Sequence, residues 1–171
     1  MKSFISPLML LAVVLSAVTI TASARTLIQV ETKTDRKCKI IEFVDAEKPQ
    51  SRKTQHATWT GKCAGGYAHG DGTLITVNGE DTKEISKGEM VKGMLHGVVI
   101  QEFIKADGTR GTGRQTYSNG LPNGNGEIEI IQKGGEKFSY SGNFQAGQMS
   151  GNGVLTRPNE IITGKFLEGK P

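Results

Sequence analysis

The feature that most constrains this fold is a glycine spacing of 27 residues that occurs three times in two separate series. The first series is Gly66, Gly93, Gly120 and Gly147, and the second is Gly70, Gly97, Gly124 and Gly151. Equal steps in two series indicate an internal repeat, and a period of this length is typical of folds that stack one small unit. The step then shortens at Gly169, so the last unit is predicted to be half a repeat.

Each unit has the pattern of a β-hairpin. The spacing Gly-x-x-x-Gly-x-Gly predicts a tight reversal, because glycine adopts positive φ angles without steric cost. Residues on either side alternate with period 2, and equivalent positions form apolar columns. One column contains Cys63, Met90, Tyr117, Phe144 and Phe166. A second contains Trp59, Tyr140 and Ile162, and a third contains Leu74, Ile128 and Leu155. Ser86, Gly113 and Gln101 are exceptions in these two columns.

The aligned units read WTGKCAGGYAHGDGTL, SKGEMVKGMLHGVVIQ, GRQTYSNGLPNGNGEI and YSGNFQAGQMSGNGVL, followed by ITGKFLEGKP. This register resembles the MORN repeat, whose pattern is Y-x-G-x-F-x-x-G-x-x-x-G-x-G, over residues 59–171. The second unit has Val99 in place of the last glycine. The third has Gly113 and Gln115 in place of the first aromatic residue and the first glycine.

We therefore predict an all-β chain, an elongated twisted antiparallel sheet of stacked β-hairpins in a MORN-like array with an N-terminal β cap. Residues 59–171 form the repeat domain, and residues 25–58 form the capping segment, in which LIQVET and KIIEFV are expected to be strands. Repeat arrays need such a cap, because a single layer of hairpins leaves an apolar face open.

Residues 1–24 have the pattern of a cleavable signal peptide: Lys2, an apolar stretch, and the small-residue pattern Ala22-Ser23-Ala24. The alternative is a transmembrane anchor, since the stretch approaches the roughly 18 residues needed to span a bilayer. The cleavage pattern favours export, and we expect a periplasmic or secreted protein of bacterial type.

Cys38 and Cys63 are the two cysteines of the chain. In an oxidising compartment an even number of cysteines predicts a disulfide, which here would fasten the capping segment across the apolar face at the first repeat. A redox-active pair would normally be spaced C-x-x-C, which is not the spacing here.

The sequence offers little that points to catalysis, and we expect a protein that is not an enzyme and that uses no cofactor or metal. His69 and His96 occupy equivalent positions in two units, yet zinc usually takes three or four protein ligands. The Gly-x-Gly pairs belong mainly to the repeat and do not lie between a strand and a helix, as a phosphate-binding fingerprint requires. Glu127 and Glu129 would share one face of a strand, where solvated side chains are the simpler interpretation.

The formal net charge is +4, and basic and acidic residues are interleaved, which does not favour a nucleic-acid partner. We expect a protein partner. The candidate binding surface is an aromatic face formed by Trp59, Tyr117, Tyr140, Phe144 and Phe166. An equally open interpretation is that these five residues form the core together with the cap.

The resemblance also suggests phospholipid binding as a second hypothesis and an antitoxin-like periplasmic immunity role as a third. The C-terminal edge strand could pair with a second copy in a homodimer.

The signal-peptide prediction fixes the N-terminus of the exported protein. We expect cleavage after Ala24, so that intact-mass and N-terminal peptide analysis of the exported protein finds Arg25 as the first residue. An N-terminus at Met1 in the exported protein would contradict this prediction.

Overall fold

A computed structural model describes residues 25–33, 37–45, 54–78 and 81–171. The predicted signal peptide, residues 1–24, lies outside the described residues. The described chain is built from β-strands joined by turns and short loops, and none of it forms a helix long and apolar enough to cross a membrane.

The described residues form twelve strands in one open sheet, as the repeat predicts. The strands are β1 (Arg25–Glu31), β2 (Lys39–Asp45), β3 (Thr54–Trp59), β4 (Lys62–Ala64), β5 (Tyr67–Asn78), β6 (Lys83–Val91), β7 (Met94–Ile104), β8 (Arg110–Ser118), β9 (Leu121–Ile131), β10 (Lys137–Gln145), β11 (Gln148–Arg157) and β12 (Glu160–Phe166). Strands β5 to β12 are consecutive antiparallel neighbours. β3 and β4 both pair with β5, so β3, which begins within the predicted capping segment, contributes to the array.

One junction departs from the predicted antiparallel order. β1 and β2 form an antiparallel hairpin, and β2 then meets β5 in a parallel pair through Lys39 and Tyr67. The sheet therefore contains a parallel pair at its N-terminal end. This pair arises because the capping hairpin approaches the array from the side of its turns.

The tight turns have two central residues, and both have positive φ. In the second unit these are Lys92, at 51°, and Gly93, at 81°. This is the type I′ geometry whose twist matches that of a hairpin. The first glycine of the predicted turn pattern therefore makes the turn. The second glycine of the pattern, such as Gly97, also has positive φ. It lies where the register of the paired strands shifts in the second, third and fourth units.

The turns are hydrogen-bonded to one another along one edge of the sheet. Gly93 N donates to Ala68 O at 2.9 Å, and Gly120 N donates to Leu95 O at 3.0 Å. The same bond recurs from Gly147 to Pro122 at 2.8 Å and from Gly169 to Met149 at 2.9 Å. Each turn thus fixes its position against the preceding one, in addition to the pairing of the strands.

The remaining glycines of the pattern make room for an aromatic ring. The indole of Trp59 lies over Gly61 and Gly72, and a Cβ at Gly72 would come within 2.5 Å of Trp59 Cη2. The ring of Tyr140 lies in the same way over Gly142 and Gly153. Both rings keep a polar contact, since Trp59 Nε1 donates to Lys62 O at 2.9 Å and the Tyr140 hydroxyl donates to Asn143 O at 3.0 Å.

The exceptions in the second and third units fill the same space from another position. Val99 stands where a glycine is expected, is fully buried, and lies against Gly88. Gln115 also replaces a glycine and packs over Gly126, with its Cγ 2.8 Å from the site of a Cβ there. In a unit without the first aromatic residue, a side chain from the glycine column therefore occupies the space that the ring would fill.

We call the face that carries these rings the inner face; it contains Trp59, Met90, Tyr117 and Tyr140. The β1–β2 hairpin covers its N-terminal half. A disulfide joins Cys38 to Cys63, with Cα atoms 5.7 Å apart, as the cysteine count predicts. Cys38 and Ile40 pack in one buried cluster with Trp59, Leu74 and Met90.

The C-terminal half of the inner face has its own cluster of Tyr140, Phe144 and Phe166, flanked by partly buried aliphatic side chains. Tyr140 meets Phe144 and Phe166 edge to face, with each pair of ring centroids 5.1 Å apart. Such pairs are worth about 0.5–1.5 kcal/mol beyond the apolar area that they bury.

The ring-on-glycine packing predicts the effect of adding one methyl group. Gly153→Ala should lower the free energy of unfolding by about 1–3 kcal/mol, because its Cβ would lie 2.5 Å from Tyr140 Oη. Gly164→Ala is the matched control, since a Cβ there meets nothing within 4 Å. Urea denaturation of both variants measures the difference, and equal loss of stability in both would contradict the packing.

Candidate functional site

The structure places all five residues of the predicted aromatic face in the protein interior. Their exposed fractions are 3% for Trp59, 7% for Tyr117, 1% for Tyr140, 6% for Phe144 and 1% for Phe166. This burial favours the second of the two interpretations left open by the sequence, in which these side chains form the core. A partner would have to bind elsewhere on the surface.

A cavity of about 460 Å³ lies between the capping hairpin and the inner face. Glu42 and Phe43 of β2 line one wall, and the opposite wall comes from β5 to β8. Polar side chains gather at one end, namely Thr54, Thr76, Asn78, Glu84, Ser86 and Gln101. Met90, Leu95, Leu121 and Pro122 line the rest of the cavity together with Phe43, and Arg25 also lines it.

The polar end is organised by a chain of hydrogen bonds on the inner face. The Tyr117 hydroxyl donates to Gln101 Oε1. Gln101 Nε2 in turn donates to Glu84 Oε1 at 2.7 Å and lies 3.1 Å from Ser86 Oγ. Burial raises the pKa of the Tyr117 hydroxyl, and the nearby Glu84 carboxylate raises it further, so Tyr117 is neutral and acts as a donor.

Glu42 reaches this cavity from the opposite wall. Its Oε1 accepts a hydrogen bond from Thr54 Oγ1 at 2.8 Å. Burial raises the pKa of the Glu42 carboxyl above its ordinary value of 4.5, the Thr54 bond opposes this shift, and the charge of Glu84 adds to it. The carboxylate is therefore held in a place that disfavours its charge.

The cavity lies where the second unit carries two polar side chains in otherwise apolar columns. Ser86 stands in the column of Trp59 and Tyr140, and Gln101 stands in the column of Leu74 and Ile128. Val99 covers Gly88 as a ring covers the glycines of the first and fourth units, and the small polar side chain of Ser86 borders the cavity instead. The interruptions of the apolar columns at Ser86 and Gln101 are the sequence signal for this site, but column positions alone predict neither the cavity nor the place of Glu42 in it.

The opposite side of the sheet, which we call the outer face, carries exposed aliphatic side chains on β7. Val98, Ile100 and Ile104 are each about half exposed, at 51%, 49% and 52%. Beside them is a depression of about 300 Å³ lined by Ile85, Ile104 and Ile131. Charged residues of both signs border it, namely Lys83, Arg110, Glu102 and Glu129.

The other sequence candidates lie apart from the cavity. Glu127 and Glu129 are on the outer face of β9, where Glu129 forms an ion pair with Lys137 at 2.7 Å. His69 pairs across the hairpin with Lys62, and His96 pairs with Glu89. No group of three or more His, Cys, Asp or Glu residues suited to a metal ion occurs in the part of the chain that the structure describes.

The raised pKa of Glu42 predicts a dependence of stability on pH. Because the folded state holds the Glu42 proton more tightly, this residue lowers stability as the pH rises from about 4.5 through the raised pKa. Glu42→Gln should therefore be more stable than the natural protein at neutral pH, with the difference vanishing below the ordinary pKa. Urea unfolding across pH 3.5–7.5 measures this, with exposed Glu127→Gln as control; a less stable Glu42→Gln protein at neutral pH would contradict it.

Comparison with known proteins bears on the repeat. A profile of the MORN repeat matches residues 116–129 and 140–160. The first range spans the turn between β8 and β9, and the second runs from Tyr140 in β10 through β11. No curated protein sequence matches the chain. The chain thus carries MORN repeats over these two ranges, and the 27-residue register and the stacked hairpins are consistent with a MORN-repeat array.

Proposed function

We propose that this protein is an exported, non-enzymatic binding module that docks a folded protein partner on the outer face of its sheet. The observation that carries the proposal is the row of half-exposed aliphatic side chains on β7 beside the depression at Ile104. MORN repeats often serve binding or scaffolding roles, and a sheet fixed by strand pairing and by turn-to-turn bonds offers a rigid platform.

The outer face has the composition of a docking surface. Val98, Ile100 and Ile104 alternate along one strand with inner-face residues, so their side chains point to the same side. Contiguous exposed apolar side chains bordered by polar residues often mark protein interaction sites. A partner that fits would present an aliphatic ridge of its own.

The charges around this patch favour a protein over a lipid surface. Lys83 and Arg110 stand beside Glu102 and Glu129, so the border carries both signs. An anionic membrane attracts a surface of one positive sign, whereas a folded protein can match alternating charges. Phospholipid binding therefore stays the second hypothesis. An exported toxin neutralised by an immunity protein is one partner of the favoured class.

Site-specific crosslinking tests the proposal. A photo-crosslinking residue at position 104 should capture a partner in the native compartment, whereas one at Val154 should not. Val154 lies on the same face four strands away, about 19 Å at 4.8 Å per strand, and is 38% exposed. The identified partner, purified and titrated by calorimetry, should bind Ile104→Ser at least tenfold more weakly than the natural protein, and Val154→Ser unchanged.

Three outcomes would contradict the proposal: equal crosslinking at both positions, equal affinity of both variants, or binding to anionic vesicles that Ile104→Ser does not reduce. Light scattering of the purified protein shows whether a second copy is the partner. A dimer that Ile104→Ser leaves intact would point to the β12 edge, where Ile161 and Leu167 are 70% and 74% exposed.

A further inference from the structure

The cavity under the capping hairpin combines a charged end with an apolar wall. Glu42 and Thr54 lie at the polar end, and Met90, Leu95 and Phe43 line the apolar part. Its volume of about 460 Å³ falls within the roughly 300–1,000 Å³ of pockets that hold small ligands. The two walls belong to different elements, the hairpin and the array, and the Cys38–Cys63 disulfide joins them.

Glu42 is the group that the fold itself does not explain. Its described partner is the Thr54 hydroxyl, and no Lys, Arg or His of the described ranges forms an ion pair with it. A carboxylate offers about four acceptor positions, of which this bond uses one. A partly buried charge without a counter-ion destabilises a protein, and its raised pKa reflects that cost.

We propose that this cavity binds a primary ammonium group carried on a short apolar chain, with the Glu42 carboxylate as its counter-ion. An ammonium group has three donors, and Thr76 and Gln101, whose side chains carry acceptor oxygens, line the cavity together with Glu42. The methylene chain would lie along Met90 and Leu95, which line the apolar part of the cavity. Free alkylamines and lysine side chains share this chemistry.

The donor set disfavours a divalent metal ion as the ligand. Calcium takes six to eight oxygen ligands, several of them carboxylates, and zinc prefers histidine and cysteine. The described residues contain no group of three or more such side chains. The apolar wall would also be unused by a bare ion, whereas it suits the chain of an amine.

Titration with a charged probe and its neutral counterpart tests the inference. n-Butylammonium, added to the disulfide-bonded protein at pH 7.5, should saturate chemical-shift changes of backbone amides around Glu42 and Gln101. 1-Butanol should produce no saturable change there. Glu42→Gln should weaken butylammonium binding at least tenfold, while Glu127→Gln, which changes an exposed carboxylate of the outer face, should leave it unaltered.

A second titration separates the two sources of the ammonium group. If a protein supplies the ammonium group, a peptide with one lysine should bind in the cavity and the same peptide with acetyl-lysine should not. If butylammonium binds and the lysine peptide does not, the ligand is a free amine. Equal shifts with butylammonium and butanol, or an unchanged affinity of Glu42→Gln, would overturn the inference. Ile104→Ser should not affect these titrations, so they are independent of the outer-face partner.

Discussion

The structure depends on the contact between an aromatic ring and a pair of glycines on neighbouring strands. Trp59 and Tyr140 lie flat on the sheet because Gly72 and Gly153 leave no Cβ in the way. Each ring buries one side against the backbone of the sheet itself, and the cap or the neighbouring rings cover the other side. The same contact explains the exceptions at Val99 and Gln115. In these two units the first aromatic residue is missing and a glycine is replaced, so the new side chain takes the place of the ring.

The capping hairpin completes this arrangement at the N-terminal end. Lys39 N donates to Gly66 O and Ile41 N donates to Gly93 O, so β2 runs along successive turns instead of extending the array as another hairpin. Arg25 of β1 reaches the fourth turn, where its guanidinium donates to Ala146 O. The cap therefore contacts most of the turn edge while its disulfide secures only the first unit. This geometry leaves space under β2 wherever the inner face carries small or polar side chains.

The repeat, the hairpins and the cysteine pair could be predicted from the sequence because each leaves a local or periodic trace. Glycine spacing defines the units, and alternation defines the strands. The site could not be predicted in the same way. Glu42 is far along the chain from Ser86 and Gln101, and only the packing of β2 over the turns brings them to one cavity. The burial of Tyr140 likewise depends on its ring lying over Gly142 and Gly153, a contact that apolar columns alone do not distinguish from an open face.

The bonds between turns also give the array a direction. Every turn from Gly93 onward donates its amide to the turn before it, and the last such bond joins Gly169 to Met149. A hairpin can therefore dock fully only when its predecessor is already in place, so under a pulling force each hairpin should detach after the hairpins that follow it. The glycine period thus specifies a mechanical polarity as well as a shape, with the disulfide-bonded cap at the resistant end.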